Sequence, residues 1–380
     1  MSRPTKATID LSALRHNLAV VRSLACTKIM AVVKADAYGH GAVPVAQTLE
    51  QENVEAFAVA CIEEAIELRE GGIRAPILLL EGFYEASELA LMARYNLHTV
   101  VQHTEQIALL ERWSGPPFGA WLKIDTGMHR IGFLPSQFRA AYRRIKQCAA
   151  IKSVTLMSHF SCANCPQDSY TPQQLSTFAK ATKGLAEEIS LCNSAATFRW
   201  PEAHHHWVRP GIMLYGASPF PFPFPDTGTL EPVMTLSTRL LTIRHLPAGA
   251  AIGYGATWVT ERPTRVGVLP VGYADGYPLA TQPNTPVLIR GRRTRILGQV
   301  SMDMVSIDLT PVPDASLDDE VILWGKELPA TEVARHTNTM AYEMFCHLKR
   351  VKKTYTESLS TRQPADNTQP VATVEPTPST

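Results

Sequence analysis

The sequence predicts an α/β fold, a (β/α)8 barrel followed by a mainly β C-terminal domain. Three observations carry that expectation. Short apolar runs alternate with helix-period stretches from Ile29 to about Leu214, the texture of repeated βα units building a parallel sheet. A proline and phenylalanine stretch, Ser218-Pro-Phe-Pro-Phe-Pro-Phe-Pro-Asp226, then interrupts the chain. Beyond it, runs rich in Val, Ile, Leu and Thr are separated by turns, with few helical patterns. A length of 380 residues fits two domains at about 150 residues each. The expected boundaries are 1–228 for the barrel, 229–354 for the β domain and 355–380 for a disordered tail.

Taken in order, Asp10 is the first start signal, capping a helix that turns Leu11, Leu14, Leu18 and Val21 inward. The barrel strands are expected at Ile29 to Val33, Ala56 to Ala60, Pro76 to Leu80, His98 to Val101, Gly119 to Ile124 and Val154 to Met157. A short run near Leu191 and another at Ile212 to Leu214 bring the count to about eight, the number that closes a barrel. An open doubly wound sheet is the other reading of the same alternation. Between the strands, Thr171 reads as an N-cap with Pro172 at the first helical position, and Leu175, Phe178, Leu185 and Ile189 on one face. The proline and phenylalanine stretch can join neither a helix nor a central strand, so it reads as an extended connector. Strands of the second domain are expected within Met234 to Ile243, Arg265 to Val271, Pro286 to Ile289 and Arg295 to Val300. From about Ser358 the chain is Thr, Pro, Ser, Gln and Asp with almost nothing apolar, the composition of a disordered tail.

Composition narrows the function. With 36 Lys+Arg against 35 Asp+Glu there is no electrostatic footprint for nucleic acid or an anionic membrane, so a small neutral or zwitterionic ligand is expected. No stretch approaches the roughly 18 apolar residues of a membrane helix, and the start of the chain lacks a signal-peptide core. Seven scattered cysteines fit a reducing cytoplasm better than a disulfide framework.

The sharpest chemical signal is Lys34, directly after an apolar strand run and before the loop Ala35-Asp-Ala-Tyr38-Gly-His-Gly41. A buried ammonium is costly unless paired, and burial lowers its pKa toward a usable nucleophile or base. The plain alternative is a lysine reaching out of a strand end into water. Gly39-His-Gly41 could open a dinucleotide fingerprint, but Pro44 stands where the third glycine belongs. The other unusual polar residues decide between these readings. Arg130, His159, and Asn193 with Ser194 follow successive strands, while Arg209 stands just before Ile212 to Leu214. Nearly all fall at the C-terminal rim where barrel active sites are built. The Ser194 hydroxyl and backbone amides near Gly211 and Ile212 would suit a phosphate monoester. A nucleophilic lysine, a phosphate cradle and an arginine between them suggest pyridoxal 5'-phosphate.

At this point the motifs carry a family likeness. Ala31-Val-Val-Lys34-Ala-Asp-Ala-Tyr38-Gly-His-Gly41 resembles the cofactor-lysine motif of the alanine racemases, barrel-type pyridoxal phosphate enzymes. Trp121-Leu-Lys-Ile-Asp-Thr-Gly-Met-His-Arg-Ile-Gly132, Met157-Ser-His-Phe160, Asn193-Ser-Ala-Ala196 and Val208-Arg-Pro-Gly-Ile212 are similar to that family too. So are Gly253-Tyr-Gly-Ala256, Gly272-Tyr-Ala-Asp-Gly276 and Ser301-Met-Asp303, all in family order. The likeness spans about residues 5 to 350, after which Arg350-Val-Lys-Lys353 replaces the family's usual Arg-Val-Pro-Arg.

The resemblance implies a homodimer with shared active sites that interconverts L- and D-alanine, for cell-wall synthesis or catabolism. Lys34 would hold the cofactor as an imine and act as acid/base on one face of the substrate Cα, with Tyr254 of the partner subunit on the other. Arg209 would face the pyridine nitrogen, with His159 bridging it to Tyr254. Arg130 would bind the cofactor's phenolic oxygen and the substrate carboxylate, whose other side would meet the Met302 backbone amide. Tyr38, Ser194, Gly211, Ile212 and Tyr342 would surround the phosphate, Asn193 would lie beside the cofactor, and Tyr273 would narrow the entrance.

In many family members the lysine matching Lys123 is carbamylated and orients the neighbouring arginine; the plain alternative is an uncarbamylated lysine paired with Asp125 or another carboxylate. Cys162-Ala-Asn-Cys165 and His204-His-His206 read as loop residues instead of a metal site, because no second CxxC is present. A broader racemase acting on serine, a barrel-only cofactor-holding protein and a decarboxylase of the same barrel type are the rivals. The second domain with Tyr254 argues against the holding protein. Against the decarboxylase stands the lack of a cysteine-aspartate motif and of an acidic partner for the ring nitrogen.

Overall fold

A computed structural model of the chain describes residues 3–165, 167, 169–225 and 227–357. After β1 (Lys6–Asp10) come eight parallel strands that close into a barrel: β2 (Lys28–Val32), β3 (Ala56–Val59), β4 (Ile77–Leu79), β5 (Leu97–Val101), β6 (Phe118–Lys123), β7 (Ile151–Met157), β8 (Glu188–Ser190) and β9 (Trp207–Val208). Closure is made where Lys28 of β2 stands opposite Trp207 of β9. Strands such as β3 and β6 are buried along their whole length, as a parallel sheet covered on both faces requires.

The capping expectation holds at α1 (Leu11–Leu24), where the Asp10 carboxylate accepts from the Ser12 and Ala13 N–H groups at 2.9 and 3.2 Å. Its buried side includes Leu14, Leu18 and Val21. The barrel's outer layer continues with α2 (Ala42–Gln51), α3 (Ile62–Glu70), α4 (Glu88–Arg94), α5 (Thr104–Glu111), α6 (Pro135–Gln147), α7 (Tyr170–Thr182) and α8 (Ser194–Arg199).

Two element assignments need correction. Ile212 to Leu214 is not a strand but part of a 3-10 turn, Ile212–Tyr215, and the last barrel strand is β9, so Arg209 follows its strand instead of preceding one. The apolar run Ile-Met-Leu reads like a strand, yet the Pro210-Gly211 turn ends the ladder before it. In α7 the cap position is Ser169, and Thr171 is buried inside the first turn. The helix stops at Thr182 because Gly184 takes φ +78°, which leaves Leu185 beyond it and Ile189 in β8.

The second domain is built on a nine-stranded sheet ordered β11-β14-β17-β16-β15-β18-β10-β1-β19. Its strands are β10 (Met234–Arg239), β11 (Thr242–Leu246), β14 (Thr264–Leu269), β15 (Pro286–Ile289), β16 (Arg292–Leu297), β17 (Val305–Asp308), β18 (Glu320–Trp324) and β19 (Lys352–Thr356). A separate ribbon pairs β12 (Ala251–Ile252) with β13 (Trp258–Val259), and the short helices α9 (Ala330–Ala334) and α10 (Ala341–Cys346) precede β19. The first strand of the chain belongs to this sheet, antiparallel to β10 and parallel to β19. Arg350 pairs with Asp275 and Asp303, and β19 runs through Thr356, inside the stretch expected to be tail. The remainder of that tail, from Ser358, lies outside the described residues. The proline and phenylalanine connector is bent instead of extended: the Phe220 and Phe224 rings stack at 4.2 Å, and Phe220 packs edge-on against Phe198.

Candidate active site

A cavity of about 810 Å³ opens at the C-terminal rim of the barrel. Lys34, Lys123, Arg130 and Arg209 line it, together with His159, Asn193 and Ser194. Tyr38, Gly211, Ile212 and Tyr342 complete the set drawn from the predicted residues. Residues from Lys34 to Ile212 meet because the barrel brings the ends of β2, β6, β7, β8 and β9 to one rim, and Tyr342 joins them from α10 of the second domain.

Lys34 lies just past β2, and the chain that follows is unusual. Ala35, Asp36, Ala37 and Tyr38 all have φ between +51 and +54°, so four L-residues in a row form a left-handed turn. Each such residue costs about 1–2 kcal/mol, because its Cβ crowds the following carbonyl. Contacts from outside the turn offset that cost. The Asp36 carboxylate accepts the Ala42 N–H at 2.7 Å and pairs with Lys353 of β19. The Ala35 N–H donates to Glu64 at 2.7 Å, and the buried His40 Nδ1 meets the Tyr38 carbonyl at 2.9 Å. Gly39, at φ +74°, lets the chain pass the Phe345 carbonyl, which a Cβ would meet at 2.0 Å. The turn places Tyr38 against Tyr215 and Tyr342, with ring centroids 4.9 and 5.9 Å away.

Arg209 is buried at the end of β9. Its Nη1 donates to Ser190 Oγ at 2.6 Å, and its Nη2 donates to the carbonyls of Ser158 and Leu191 at 2.8 and 3.2 Å. Burial lowers its pKa to about 10, so it stays charged at neutral pH. The same Nη2 is 3.3 Å from His159 Nδ1, while Asn193 Nδ2 lies 3.4 Å from the other ring nitrogen. Asn193 is turned that way because its Oδ1 caps α8 through the Ala196 N–H. With N–H donors on both sides the imidazole favours its neutral form, and burial, Arg209, Lys123 and Arg130 press its pKa well below the usual value.

Lys123 ends β6 with its side chain buried. Burial first, then Arg209, Arg130 and Lys34, lower its pKa to about 7. The alternative of a pairing with Asp125 is not what holds Asp125: that carboxylate accepts the Gly127 and His129 N–H groups, each at 3.0 Å, and faces the His129 ring. At the opposite end of the cavity, Ser194 Oγ accepts the Gly211 N–H at 2.9 Å. A Cβ on Gly211 would lie 2.5 Å from the Tyr38 hydroxyl, so only a glycine leaves that phenol its place. Burial raises the Tyr38 and Tyr342 phenols, keeping both as neutral donors.

Three predicted residues are not brought into this cavity. Tyr254, Tyr273 and Met302 are 70, 39 and 53% exposed on the second domain and do not line it. Tyr273 and Met302 are neighbours there, the Ala274 N–H donating to the Met302 carbonyl at 2.9 Å. The sequence reading missed Leu80, Glu81, Tyr84 and Gln102, which form the wall beyond β4 and β5; the same rim rule, applied to those two strands, would have found them. The loop cysteines Cys162 and Cys165 share a turn, the Cys165 N–H donating to the Cys162 carbonyl at 2.7 Å. His204 and His206 are engaged elsewhere, with the Thr197 carbonyl and the Ile189 N–H.

Comparison with known proteins agrees with this geometry. Residues 9–219 match the family model of the alanine racemase N-terminal domain, and residues 233–355 that of the C-terminal domain. An alanine racemase of Pseudomonas taetrolens is 52% identical over 354 residues, covering 93% of this chain and 99% of that protein. A catabolic alanine racemase of Pseudomonas putida is 51% identical with the same coverage. The crystal structure of the biosynthetic alanine racemase from Pseudomonas aeruginosa superposes with a TM-score of 0.90 at 44% identity, covering 93% of this chain and all of that one. With both domains matched in order, on the predicted fold, the chain belongs to the alanine racemase family.

Proposed function

We propose that this chain binds pyridoxal 5'-phosphate in the rim cavity and interconverts L- and D-alanine by proton transfer on two faces of the substrate Cα. The observation that carries the reading is the convergence of Lys34, Arg130, His159 and Arg209 with the Ser194 and Gly211 cradle in one cavity. Its size suits a ligand bearing one phosphate and one carboxylate. The fit is chemical as well. Lys34 can hold an aldehyde carbon, Ser194 with the Gly211 and Ile212 turn can hold a phosphate beside the neutral phenols of Tyr38 and Tyr342, and Arg130 can hold a carboxylate. When bound, the cofactor supplies a conjugated electron sink that acidifies the substrate Cα–H.

The protein's own groups do the rest. Arg209, buried and held by Ser190, Ser158 and Leu191, stays cationic and offers the ring nitrogen a donor that does not give up its proton. That limits electron withdrawal and disfavours side reactions such as transamination. Lys34 moves a proton on one face. Racemisation needs a second group opposite, because one base returning a proton to the face it came from restores the starting hand. Tyr254 of a second copy fits that role, exposed as it is on the other domain, with Tyr273 and Met302 carried on the same domain to narrow and close the site. Lys123, which makes no ion pair with a carboxylate among the described residues and has a depressed pKa, is suited to add its neutral amine to carbon dioxide, releasing one proton, and the resulting carbamate would turn toward Arg130. Relatives are named both catabolic and biosynthetic, and one reversible reaction serves cell-wall supply and D-alanine breakdown alike.

The test joins product and attachment site. Purified protein given L-alanine, and L-serine in parallel, should form D-alanine faster than D-serine, and borohydride treatment followed by peptide mapping should find a stable cofactor adduct on Lys34. No D-alanine and an unmodified Lys34 would overturn the proposal.

A further inference from the structure

Gln174 of α7 is fully buried and does not line the cavity, yet every hydrogen-bonding site of its amide is used. Its Nε2 donates to the His159 carbonyl at 3.0 Å and to Thr126 Oγ1 at 3.2 Å. Its Oε1 accepts the Ser161 N–H at 3.0 Å and the Ser161 hydroxyl at 3.2 Å. The chain continues from Thr126 Oγ1 to Ser158 Oγ at 2.8 Å, and Ser158 Oγ donates its only hydrogen to the Ile124 carbonyl at 2.9 Å. The direction of every link is therefore fixed: Ser158 has no hydrogen left, so Thr126 must donate to it, and Thr126 can then only accept from Gln174. This chain ties together the loop after β6, which carries Arg130, and the loop after β7, which carries His159. Arg209 holds the same second loop from inside the barrel through the Ser158 carbonyl.

We propose that Gln174 is a positioning residue for racemisation, setting the His159 loop and the Arg130 loop in register with Arg209 through this one-way relay. The inference rests on the function proposed above for those three residues. Polarity, not volume, carries it. Gln174→Glu keeps the shape but puts an acceptor against the His159 carbonyl and Thr126 Oγ1, whereas Gln174→Met removes all four bonds. Thr126→Val cuts the relay at its second link, and Thr126→Ser preserves it.

The experiment measures each variant holoenzyme for kcat and KM with L-alanine, for pH profile and for melting temperature. Backbone hydrogen exchange of residues 124–131 and 158–161 is followed in the same proteins. Gln174→Glu should lose at least about tenfold in kcat with little change in KM. It should recover part of the loss toward acid pH, where a protonated carboxyl regains one O–H donor. That acid limb should be missing from the parent and from Gln174→Met, which should be slow at every pH. Thr126→Val should be slow as well, Thr126→Ser near the parent, and the Gln174→Glu/Thr126→Val pair less than multiplicative. Exchange should rise in both loops together.

A lowered melting temperature with parental kcat, KM and pH profile would make Gln174 purely structural and overturn the proposal. So would slowed turnover with no change of exchange in either loop. If the parent itself shows no racemisation, the functional reading fails first, and the exchange data still report whether the relay couples the two loops.

Discussion

The left-handed turn after Lys34 makes a prediction whose sign is opposite to ordinary helix experience. Replacing Ala35 by glycine in a right-handed helix would cost about 1 kcal/mol. Here Ala35 sits at φ +52°, ψ +51°, and its side chain is an exposed methyl at the edge of the cavity. Glycine removes a left-handed penalty of about 1–2 kcal/mol and adds about 0.5–1 kcal/mol of unfolded-chain entropy. Ala35→Gly should therefore stabilise the protein by about 0.5–1 kcal/mol. The contrast is Ala37→Gly, at the same dihedrals but fully buried, where the lost methyl contact cancels the gain. Equilibrium urea unfolding followed by circular dichroism measures both. Destabilisation of Ala35→Gly by about 1 kcal/mol would refute the reasoning, because it would mean the turn is not left-handed in solution.

Other outcomes follow from the site itself. Gly211→Ala drives a methyl to within 2.5 Å of the Tyr38 hydroxyl, so equilibrium dialysis should show cofactor affinity weakened by at least about tenfold; unchanged binding would remove Gly211 from the cradle. Lys123 is held to about 7 against the usual 10.5, so between those values the unfolded chain binds the extra proton and stability rises with pH, while below 7 the full penalty applies, with a ceiling of about 5 kcal/mol. In bicarbonate-free buffer Lys123→Met should therefore stabilise most near about pH 6 and least near about pH 10; a difference independent of pH would contradict the buried-amine account. Mixing Lys34→Ala and Tyr254→Phe chains, each slow alone, should restore about a quarter of parental activity, since half of the dimers are mixed and each holds one intact site. No recovery on subunit exchange would place both residues in one chain's site or neither.

The sequence announced what is local or repetitive. Asp10 caps α1 with contacts two and three residues away, and the βα alternation places six strands within a few residues of their observed bounds. It misplaced the last barrel strand because Ile212-Met-Leu looks more strand-like than the two residues of Trp207-Val208 that close the barrel. Little in Ala35-Asp-Ala-Tyr38 suggests a left-handed turn, since Ala and Tyr avoid it and only Asp visits it readily; Lys353 and Glu64, from elsewhere in the fold, and the adjacent His40 support it. The pairing of β1 with β10 and β19 joins residues more than 200 positions apart, beyond the reach of any periodicity. Gln174 looked like one more polar residue on a helix, and its weight appears only when both loops stand around it.

The tyrosines bear on where the second proton-transferring group of the proposed reaction would come from. Three of them line the cavity, and none is fit to take a proton. Burial raises Tyr38 and Tyr342, and a hydrogen bond to Glu81 holds Tyr84 up to about 12. His159 is no substitute, since its ring is buried against Arg209 and Asn193. The guanidinium groups of Arg130 and Arg209 would favour a phenolate brought among their charges, but burial opposes ionisation of Tyr38 and Tyr342, and Tyr84 is held by Glu81. Tyr254 is exposed on the second domain, away from the residues that line the cavity, and in the mechanism proposed above it would act when a second copy presents that domain to the rim. On the proposed mechanism, two-sided proton transfer would thus require a second copy, because Tyr254 lies outside this chain's own cavity.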